Sequence, residues 1–304
     1  FMQEWLQRYQ GVSVSLPKLQ YADYAKWQSQ HQPSLDSSWV THLLQYPALS
    51  LPYDLPARKT LSHQGDTASV VLDQSTMAVL KPFMQQHGLT PFMLTLALWQ
   101  IVVARWARQE TFCMGTPVSG RTHPDTQTMM GCFVNTAVIP VDYVSTRDFT
   151  EHCLQVKQSV LASFEQQETP FAALVEALEP TRDSSRSPVF QVMMSLLPVP
   201  EEISVPGLSL SPVANGQTTA KLELSLDLID FGEHIQGVVE YNSACFTADT
   251  MQGLAEQLQF LARHCLDHTQ PLQNTPLFSV SEMRKIDYPQ KSLMVGFDAM
   301  VNLH

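Results

Sequence analysis

The stretch Phe133-Val-Asn-Thr-Ala-Val-Ile-Pro-Val141 predicts a β-strand that begins among polar residues and becomes apolar. Because side chains alternate along a strand, Asn135 lies on one face and Thr136 on the other. Upstream, Phe112-Cys-Met-Gly115 predicts a second strand, and the polar segment Ser119–Thr128 predicts a loop between the two. The sequence therefore predicts two strands that flank a polar loop.

Helix signals surround this strand pair. The strongest predicts a core helix from Phe92 to Arg108, because the segment is apolar on nearly all sides, with Thr90 as N-cap and Pro91 at the first helical position. Further helices are predicted at residues 1–10, 21–30, 35–46, 75–87, 149–166, 171–178 and 248–266, and further strands at 68–72, 189–196, 222–229 and 235–241. Pro82 predicts a kink or break within its helix. The alternation of helices and strands favours an α/β fold or a mixed layered sheet.

Charge and composition argue against several classes of protein. The formal net charge is -11, and the 18 basic residues form no run, which disfavours nucleic acid as a partner. The longest apolar run, Pro91–Ala104, is interrupted by Gln100 and is too short and too polar to span a bilayer. The five cysteines form no Cys-x-x-Cys pair, so we expect free thiols and a reducing, cytoplasmic location.

Five short blocks follow one another in a fixed order. They are Tyr21-Ala-Asp-Tyr-Ala-Lys-Trp27, Gly115-Thr-Pro-Val-Ser-Gly-Arg-Thr-His-Pro124, Met130-Gly-Cys-Phe-Val-Asn-Thr136, Gln167-Glu-Thr-Pro-Phe171 and Arg182-Asp-Ser-Ser-Arg-Ser-Pro-Val-Phe-Gln191. Together they resemble the downstream half of the condensation domains of nonribosomal peptide synthetases, over about residues 1–285. The fourth block and the residue on either side of it depart from the family pattern at Gln166, Glu168 and Ala172.

The resemblance implies one lobe of the chloramphenicol-acetyltransferase-like fold, an α/β lobe with a mixed sheet packed by helices. This lobe is expected to span residues 1–267, beginning just after the family's catalytic His-His-x-x-x-Asp-Gly motif. The pattern becomes irregular over residues 268–304, where Pro271, Pro276 and Pro289 occur. This segment is therefore expected to be a linker toward a following, adenylation-like domain.

The resemblance also implies a function, which is amide bond formation between donor acyl and acceptor aminoacyl thioesters. The expected partners are peptidyl carrier proteins, the N-terminal lobe of the same condensation domain and the adenylation domain. Phosphopantetheine belongs to the carrier proteins, and no directly bound cofactor is expected. The catalytic motif does not occur in residues 1–304. We therefore expect this chain to supply one tunnel wall and the acceptor-side surface, and to be inactive alone. The alternatives are a non-catalytic module that recruits a carrier protein or partner lobe, and a free-standing acyltransferase of the same fold.

Candidate tunnel residues come from the second and third blocks. An amide is both donor and acceptor, so Asn135 suits a reacting amine or intermediate, although it equally suits a bond to backbone at a strand end. Thr136 is its neighbour in the same block. By resemblance, Ser119, Gly120 and Arg121 belong to the loop that crosses between lobes to form the tunnel floor. Ordinary turn chemistry explains a glycine in this loop equally well.

Two further clusters are interpreted as structural. In the first block, Tyr21, Tyr24 and Trp27 form an aromatic helical stripe, a pattern that commonly packs in a core. We interpret this block as an anchor where the chain passes between lobes, and Asp23 belongs to it. The charged cluster that precedes a strand in the fifth block favours helix-end capping and a local ion pair over substrate contact. Its members are Arg182, Asp183 and Arg186.

Two other patterns are weak. Ser119, His123 and Asp125 lie within one short loop, whereas a hydrolase triad places its members on different elements. His264 and His268 have the spacing of two metal ligands on a helix, but no third ligand is evident nearby. We expect neither a hydrolase triad nor a metal site.

Overall fold

The computed structural model describes residues 2–14, 18–31, 35–56, 62–178, 187–199, 203–205, 207–210, 219–266 and 270–278. The helices within these ranges are α1 (Met2–Tyr9), α2 (Tyr21–Gln30), α3 (Ser37–Leu43), α4 (Gln74–His87), α5 (Pro91–Ala107), α6 (Phe149–Glu165), α7 (Phe171–Leu178) and α8 (Ala248–His264). The strands are β1 (Gly65–Leu72), β2 (Thr111–Val118), β3 (Asn135–Asp142), β4 (Val192–Pro198), β5 (Ile203–Val205), β6 (Leu208–Leu210), β7 (Leu224–Asp230) and β8 (Ile235–Asn242). Short 3₁₀ turns lie at Pro124–Thr126 and Leu272–Asn274.

Six of these strands form one mixed sheet in the order β1-β8-β7-β4-β2-β3. The β2–β4 and β4–β7 pairs are parallel, while β1–β8, β7–β8 and β2–β3 are antiparallel. Strands β5 and β6 form a separate antiparallel pair. The predicted mixed sheet packed by helices is confirmed.

The main core lies between this sheet and helices α5, α6 and α8. Helix α5 begins as predicted, since the Thr90 side chain accepts a hydrogen bond from the backbone N–H of Met93 at 3.2 Å. Every residue from Met93 to Ala104 is buried. A helix that is apolar on nearly all sides has no face suited to water, so it lies inside the protein. The predicted core helix is therefore confirmed.

A smaller core covers the opposite face of the sheet at its β4-β2-β3 side. Helices α3 and α7 pack there, and the buried residues are Leu43, Cys113, Val138, Leu174 and Phe190. Alternation explains the two cores, because Cys113 and Val138 point away from their buried neighbours Met114 and Ile139. This second core holds α7 and the loop before it beside the start of β3.

The strand predicted from Phe133 begins two residues later, at Asn135. The last β2–β3 pair joins Val118 to Asn135, and β2 ends at Val118. Two residues later, the chain turns at Gly120, whose φ of 64° is left-handed. Phe133 and Val134 therefore have no β2 residues to pair with. The Phe133 ring turns inward and is buried, whereas Val134 is exposed.

A kink or a break was predicted at Pro82, and the break is wrong, because α4 continues from Gln74 to His87. Proline removes the hydrogen bond to the carbonyl four residues earlier, here that of Ala78. Ala78 and Pro82 are both exposed, so water can solvate this carbonyl. The predicted end of the helix at Gly88 is confirmed, since this residue adopts φ 60° and ψ 43°.

Part of the predicted linker packs against the lobe. The backbone N–H of Leu272 donates to the carbonyl of Arg147 at 2.8 Å, and Arg105 donates to the carbonyl of Thr275 at 2.5 Å. Leu272 and Leu277 are buried in the main core. These contacts attach residues 270–278 to the helical layer, while residues 267–269 and 279–304 lie outside the described ranges.

No helix that the structure describes is by itself long and apolar enough to cross a membrane. Helices α4 and α5 together are long and apolar enough for a membrane span by length and composition alone, but the pair is bent by 107°.

Candidate functional site

A groove of about 230 Å³ lies between α2, the β2–β3 loop and the loop that precedes α7. Its lining residues are Tyr24, Trp27, Gln28, His31, Gly120, Thr122, Cys132, Phe133, Val134, Asn135, Gln167, Glu168 and Pro170. These residues come from four of the five sequence blocks, except for Gln28 and His31, which lie just beyond the first. The fold thus brings together segments that are up to 146 residues apart in sequence (24 to 170).

Helix α2 is anchored to the β2–β3 loop by Tyr21. Its hydroxyl donates to the backbone carbonyl of Cys132 at 2.8 Å, and its ring packs edge-on against Phe133 with centroids 5.1 Å apart. The ring lies directly over Gly131, where an added Cβ would come within 2.1 Å of it. A side chain larger than hydrogen at Gly131 would therefore displace α2.

The aromatic stripe of α2 does not belong to a core, because this helix contains no buried residue. Tyr24 packs on Phe133 with ring centroids 4.7 Å apart, and Trp27 stays 46% exposed. The carboxylate of Asp23 accepts a hydrogen bond from the backbone N–H of Gln20 at 2.9 Å, which caps the start of the helix. Tyr24 and Trp27 are consequently available to line the groove.

The β2–β3 loop has a structural requirement for glycine at position 120. Gly120 adopts a left-handed φ, and an added Cβ would lie 1.9 Å from the carbonyl oxygen of Phe133. Arg121 donates to the carbonyls of Thr126 and Met129, the latter at 2.9 Å. Its guanidinium carbon lies 4.2 Å from the centroid of the Phe133 ring. Arg121 therefore closes the loop on itself.

The predicted tunnel residues are divided by the structure. Gly120 and Asn135 line the groove, whereas Ser119, Arg121 and Thr136 are not among its lining residues. Ser119 is exposed, and its hydroxyl accepts a hydrogen bond from the backbone N–H of Arg121 at 3.4 Å. Thr136 is partly buried within β3, where it pairs with Pro117.

Asn135 bonds to backbone with both ends of its side-chain amide. Its Nδ2 donates to the carbonyls of Gln167 at 2.9 Å and Thr169 at 2.7 Å. Its Oδ1 accepts a hydrogen bond from the backbone N–H of Phe171 at 3.1 Å. The geometry thus matches the alternative in which this amide satisfies backbone groups, and it explains why the third and fourth blocks meet.

The second and fifth blocks meet on the smaller core. An added Cβ at Gly115 would lie 2.4 Å from the ring of Phe190, so only glycine fits there without a shift. The Gln191 side chain accepts a hydrogen bond from the backbone N–H of Leu49 at 2.8 Å and donates to the carbonyl of Ser187 at 2.9 Å. The charged members of the fifth block lie outside the described residues; they are Arg182, Asp183 and Arg186.

The two weak sequence patterns gain no support. His123 and Asp125 form an exposed pair at 3.6 Å, and Ser119 lies at the start of the same loop. Within the described ranges, no group of three or more His, Cys, Asp or Glu side chains could hold a metal ion. His268 of the predicted pair falls outside those ranges.

Among the groove residues that sequence reasoning did not identify are two ionisable side chains, His31 and Glu168. His31 lies four residues after Trp27, and its ring stacks on the indole with centroids 5.2 Å apart and an interplanar angle of 16°. Burial raises the pKa of Tyr24, and the negative charge of Glu168 raises it further. Helical spacing from Trp27 could have identified His31, but nothing local to residues 166–172 places Glu168 opposite α2.

Comparison with known proteins gives the family. The family model for the condensation domain matches residues 1–286. Gramicidin S synthase 2 of Brevibacillus brevis is 31% identical over 289 residues, covering 92% of this chain and 6% of the relative. Tyrocidine synthase 3 of Brevibacillus parabrevis is 30% identical over 305 residues, covering 97% of this chain and 5% of the relative. The chain thus spans a small fraction of the length of these synthases.

Solved structures show the same fold. A four-domain nonribosomal peptide synthetase bound to AMP and glycine matches with a TM-score of 0.79 at 22% identity, covering 90% of this chain and 22% of that chain. The X-domain from teicoplanin biosynthesis matches with a TM-score of 0.76 at 21% identity, covering 89% of this chain and 65% of that chain. The predicted chloramphenicol-acetyltransferase-like architecture is confirmed, and the chain belongs to the condensation-domain family of nonribosomal peptide synthetases.

Proposed function

We propose that this chain forms one wall of the tunnel of a condensation domain that joins a carrier-bound donor acyl group to a carrier-bound acceptor aminoacyl group. The observation that carries this proposal is the convergence of four sequence blocks on one groove. Blocks that served only folding would be expected to meet in a core. Here the groove-lining members of the first block are partly or largely exposed, so their side chains face space that a substrate can occupy.

The residues around the groove fix its walls in position and are not arranged to transfer a proton. Asn135 fixes the loop before α7, Tyr21 fixes α2, and Gly120 allows the β2–β3 loop to pass close to Phe133. Amide formation between two thioester-linked substrates depends on holding the amine and the carbonyl carbon in a reactive orientation. We assign this chain the positioning part of that task.

The proton-transferring part is assigned to a second lobe. Residues 1–304 contain no His-His-x-x-x-Asp-Gly sequence, and a histidine suits the deprotonation of an attacking amine near neutral pH. We therefore propose that this stretch alone does not form the amide. The donor and acceptor would arrive on phosphopantetheine arms of peptidyl carrier proteins, and an adenylation domain would follow the linker that begins near residue 268.

Complementation tests this proposal. The 304-residue chain is mixed with the histidine-bearing lobe of a condensation domain and with two carrier proteins loaded with donor and acceptor, and the amide product is measured by mass spectrometry. We expect product with both lobes, and none with either lobe alone or with the histidines changed to alanine. Product from this chain alone would contradict the division of labour between the lobes.

A non-catalytic interaction module is the second candidate. One structural neighbour, at 22% identity and a TM-score of 0.75, is the complex of the X-domain and OxyB from teicoplanin biosynthesis, so the same fold occurs in a protein–protein complex. In that case the chain would bind a carrier protein or another partner without any rate effect. Stable binding of a loaded carrier protein, with no product in the complementation assay, would favour this candidate.

A further inference from the structure

The groove has an aromatic wall on the α2 side. Tyr24 and Trp27 lie one helical turn apart, with ring centroids 5.8 Å apart, and the His31 ring continues the surface by stacking on Trp27. Phe133 supports this wall from behind through its contact with Tyr24. Phe133 thus holds the Tyr24 ring in place, and the exposed rings of Trp27 and His31 extend the wall from it.

A carboxylate belongs to the opposite side of the same groove. Glu168 is exposed and forms no salt bridge with any lysine, arginine or histidine that the structure describes. Its charge reaches the aromatic wall, since it adds to the rise in the pKa of Tyr24. Arg121, from the neighbouring loop, is engaged by the carbonyls of Thr126 and Met129.

Ring faces and an unneutralised carboxylate favour the same kind of ligand. The π-face of tryptophan or tyrosine attracts an organic cation, and a carboxylate nearby adds Coulombic attraction. An anionic group would be repelled by the carboxylate, and a neutral alkyl group would gain only contact with the rings. At about 230 Å³, the groove suits a substituent rather than a whole peptide.

We propose that this groove binds the ammonium group of an aminoacyl or peptidyl substrate, with Tyr24 and Trp27 supplying the ring faces and Glu168 the counter-charge. This inference rests on the proposed function, because it takes the groove to be part of the substrate tunnel. An α-ammonium group and the side-chain ammonium of a lysine-type residue have the same chemistry, and the experiment separates these two sources.

Three N-acetylcysteamine thioesters serve as probes. The thioester of Nα-acetyl-L-norleucine is neutral, that of L-norleucine carries an α-ammonium group, and that of Nα-acetyl-L-lysine carries a side-chain ammonium group. Each probe is titrated into the 304-residue chain, and binding is followed by the NMR shift of the Trp27 indole N–H, assigned with a Trp27→Phe variant. We expect at least one cationic probe to bind about five times more tightly than the neutral probe.

Charge-matched variants give the decisive comparison. Glu168→Gln should bring the cationic and neutral probes within about twofold of each other. Glu165→Gln removes the same net charge from the exposed end of α6, outside the groove lining, and should leave the preference intact. Trp27→Leu lacks the indole reporter, so its binding is followed by the backbone amide shift of Val134, another groove residue. This variant should weaken the preference while Glu168 remains in place. Equal binding of neutral and cationic probes by the unaltered chain, or equal effects of the two glutamate variants, would overturn the proposal.

The probe-binding experiment and the complementation assay can fail independently of each other. If the complemented lobes form the amide but the probes show no charge preference, the ammonium site is wrong and the tunnel assignment stands. If the preference depends on Glu168 but no amide forms with both lobes, the site stands as a binding site and the catalytic assignment fails.

Discussion

The side-chain carbonyl of Asn135 accepts a hydrogen bond from the backbone N–H of Phe171 at 3.1 Å, across 36 residues of sequence. The same amide donates to two carbonyls of the loop that precedes Phe171, those of Gln167 and Thr169. One side chain therefore fixes both the loop and the first residue of α7 against the start of β3. Because Gln167 and Glu168 line the groove, this arrangement also determines the shape of one groove wall.

Asn135→Ala is expected to lower the free energy of unfolding by about 1–3 kcal/mol, because three partly buried backbone groups lose their partner. Urea unfolding of the 304-residue chain measures the change, with Thr128→Ala in the exposed loop as the control. In the complemented domain, a group that acts on the reacting centre would instead lower turnover by about a hundredfold or more. Lost turnover at unchanged stability would contradict the structural role.

Gly120→Ala should destabilise the chain more than Gly232→Ala. Both glycines have left-handed backbones, with φ of 64° and 81°, and an alanine in this region costs about 1–2 kcal/mol. Only Gly120 adds a clash, with the Phe133 carbonyl, whereas an added Cβ at Gly232 meets nothing within 4 Å. If both variants lower the thermal unfolding temperature equally, the loop can move away from the Phe133 carbonyl without loss of stability, and this contact does not require glycine.

Local sequence patterns were enough to predict the helices, whereas the shape of the groove depends on contacts between residues distant in sequence. The range of α2 follows from aromatic spacing within ten residues, and α5 from Thr90, Pro91 and its apolar length. The late start of β3 could not be predicted in this way, because it depends on β2 ending at Val118, the partner of Asn135. Likewise, the position of Glu168 beside α2 depends on hydrogen bonds made by Asn135 more than thirty residues earlier. Neither the start of β3 nor the position of Glu168 can be read from side-chain alternation along one strand.

His152 should make the chain less stable as the pH falls from about 6.5 to about 4. Burial lowers its pKa to about 4, with the carbonyl of Ala97 opposing this effect and the charge of Arg147 adding to it. Between that value and the ordinary histidine pKa of about 6.5, the unfolded chain binds a proton that the folded chain does not. Above about pH 6.5, protonation of His152 therefore does not lower the free energy of unfolding. As the pH falls from about 6.5 to about 4, the free energy of unfolding decreases by up to about 3 kcal/mol.

Urea unfolding at a series of pH values tests this expectation. His152→Gln removes the titrating group and should flatten the pH dependence in this window, whatever its effect on stability at pH 7. His123→Gln, in the exposed β2–β3 loop, is the control and should retain the dependence. An unchanged slope in the His152 variant would assign the acid sensitivity to other groups.

The contact between Gly115 and Phe190 can be tested as a coupled pair. Gly115→Ala places a methyl group 2.4 Å from the Phe190 ring and should cost about 1–3 kcal/mol, since β2 and the smaller core cannot both keep their positions. Phe190→Leu removes the ring but leaves a buried apolar side chain. In that background the cost of Gly115→Ala should fall by at least about 0.5 kcal/mol, which a double-mutant cycle measures.

The control pair uses Gly253 in α8, where an added Cβ meets nothing within 4 Å. Gly253→Ala should stabilise the helix by about 0.5–1 kcal/mol and should add independently to Phe190→Leu. Additive behaviour of Gly115→Ala with Phe190→Leu would mean that the backbone of β2 moves to accept the methyl group. The second and fifth sequence blocks would then be neighbours without being fitted to each other, and the requirement for glycine at position 115 would need another cause.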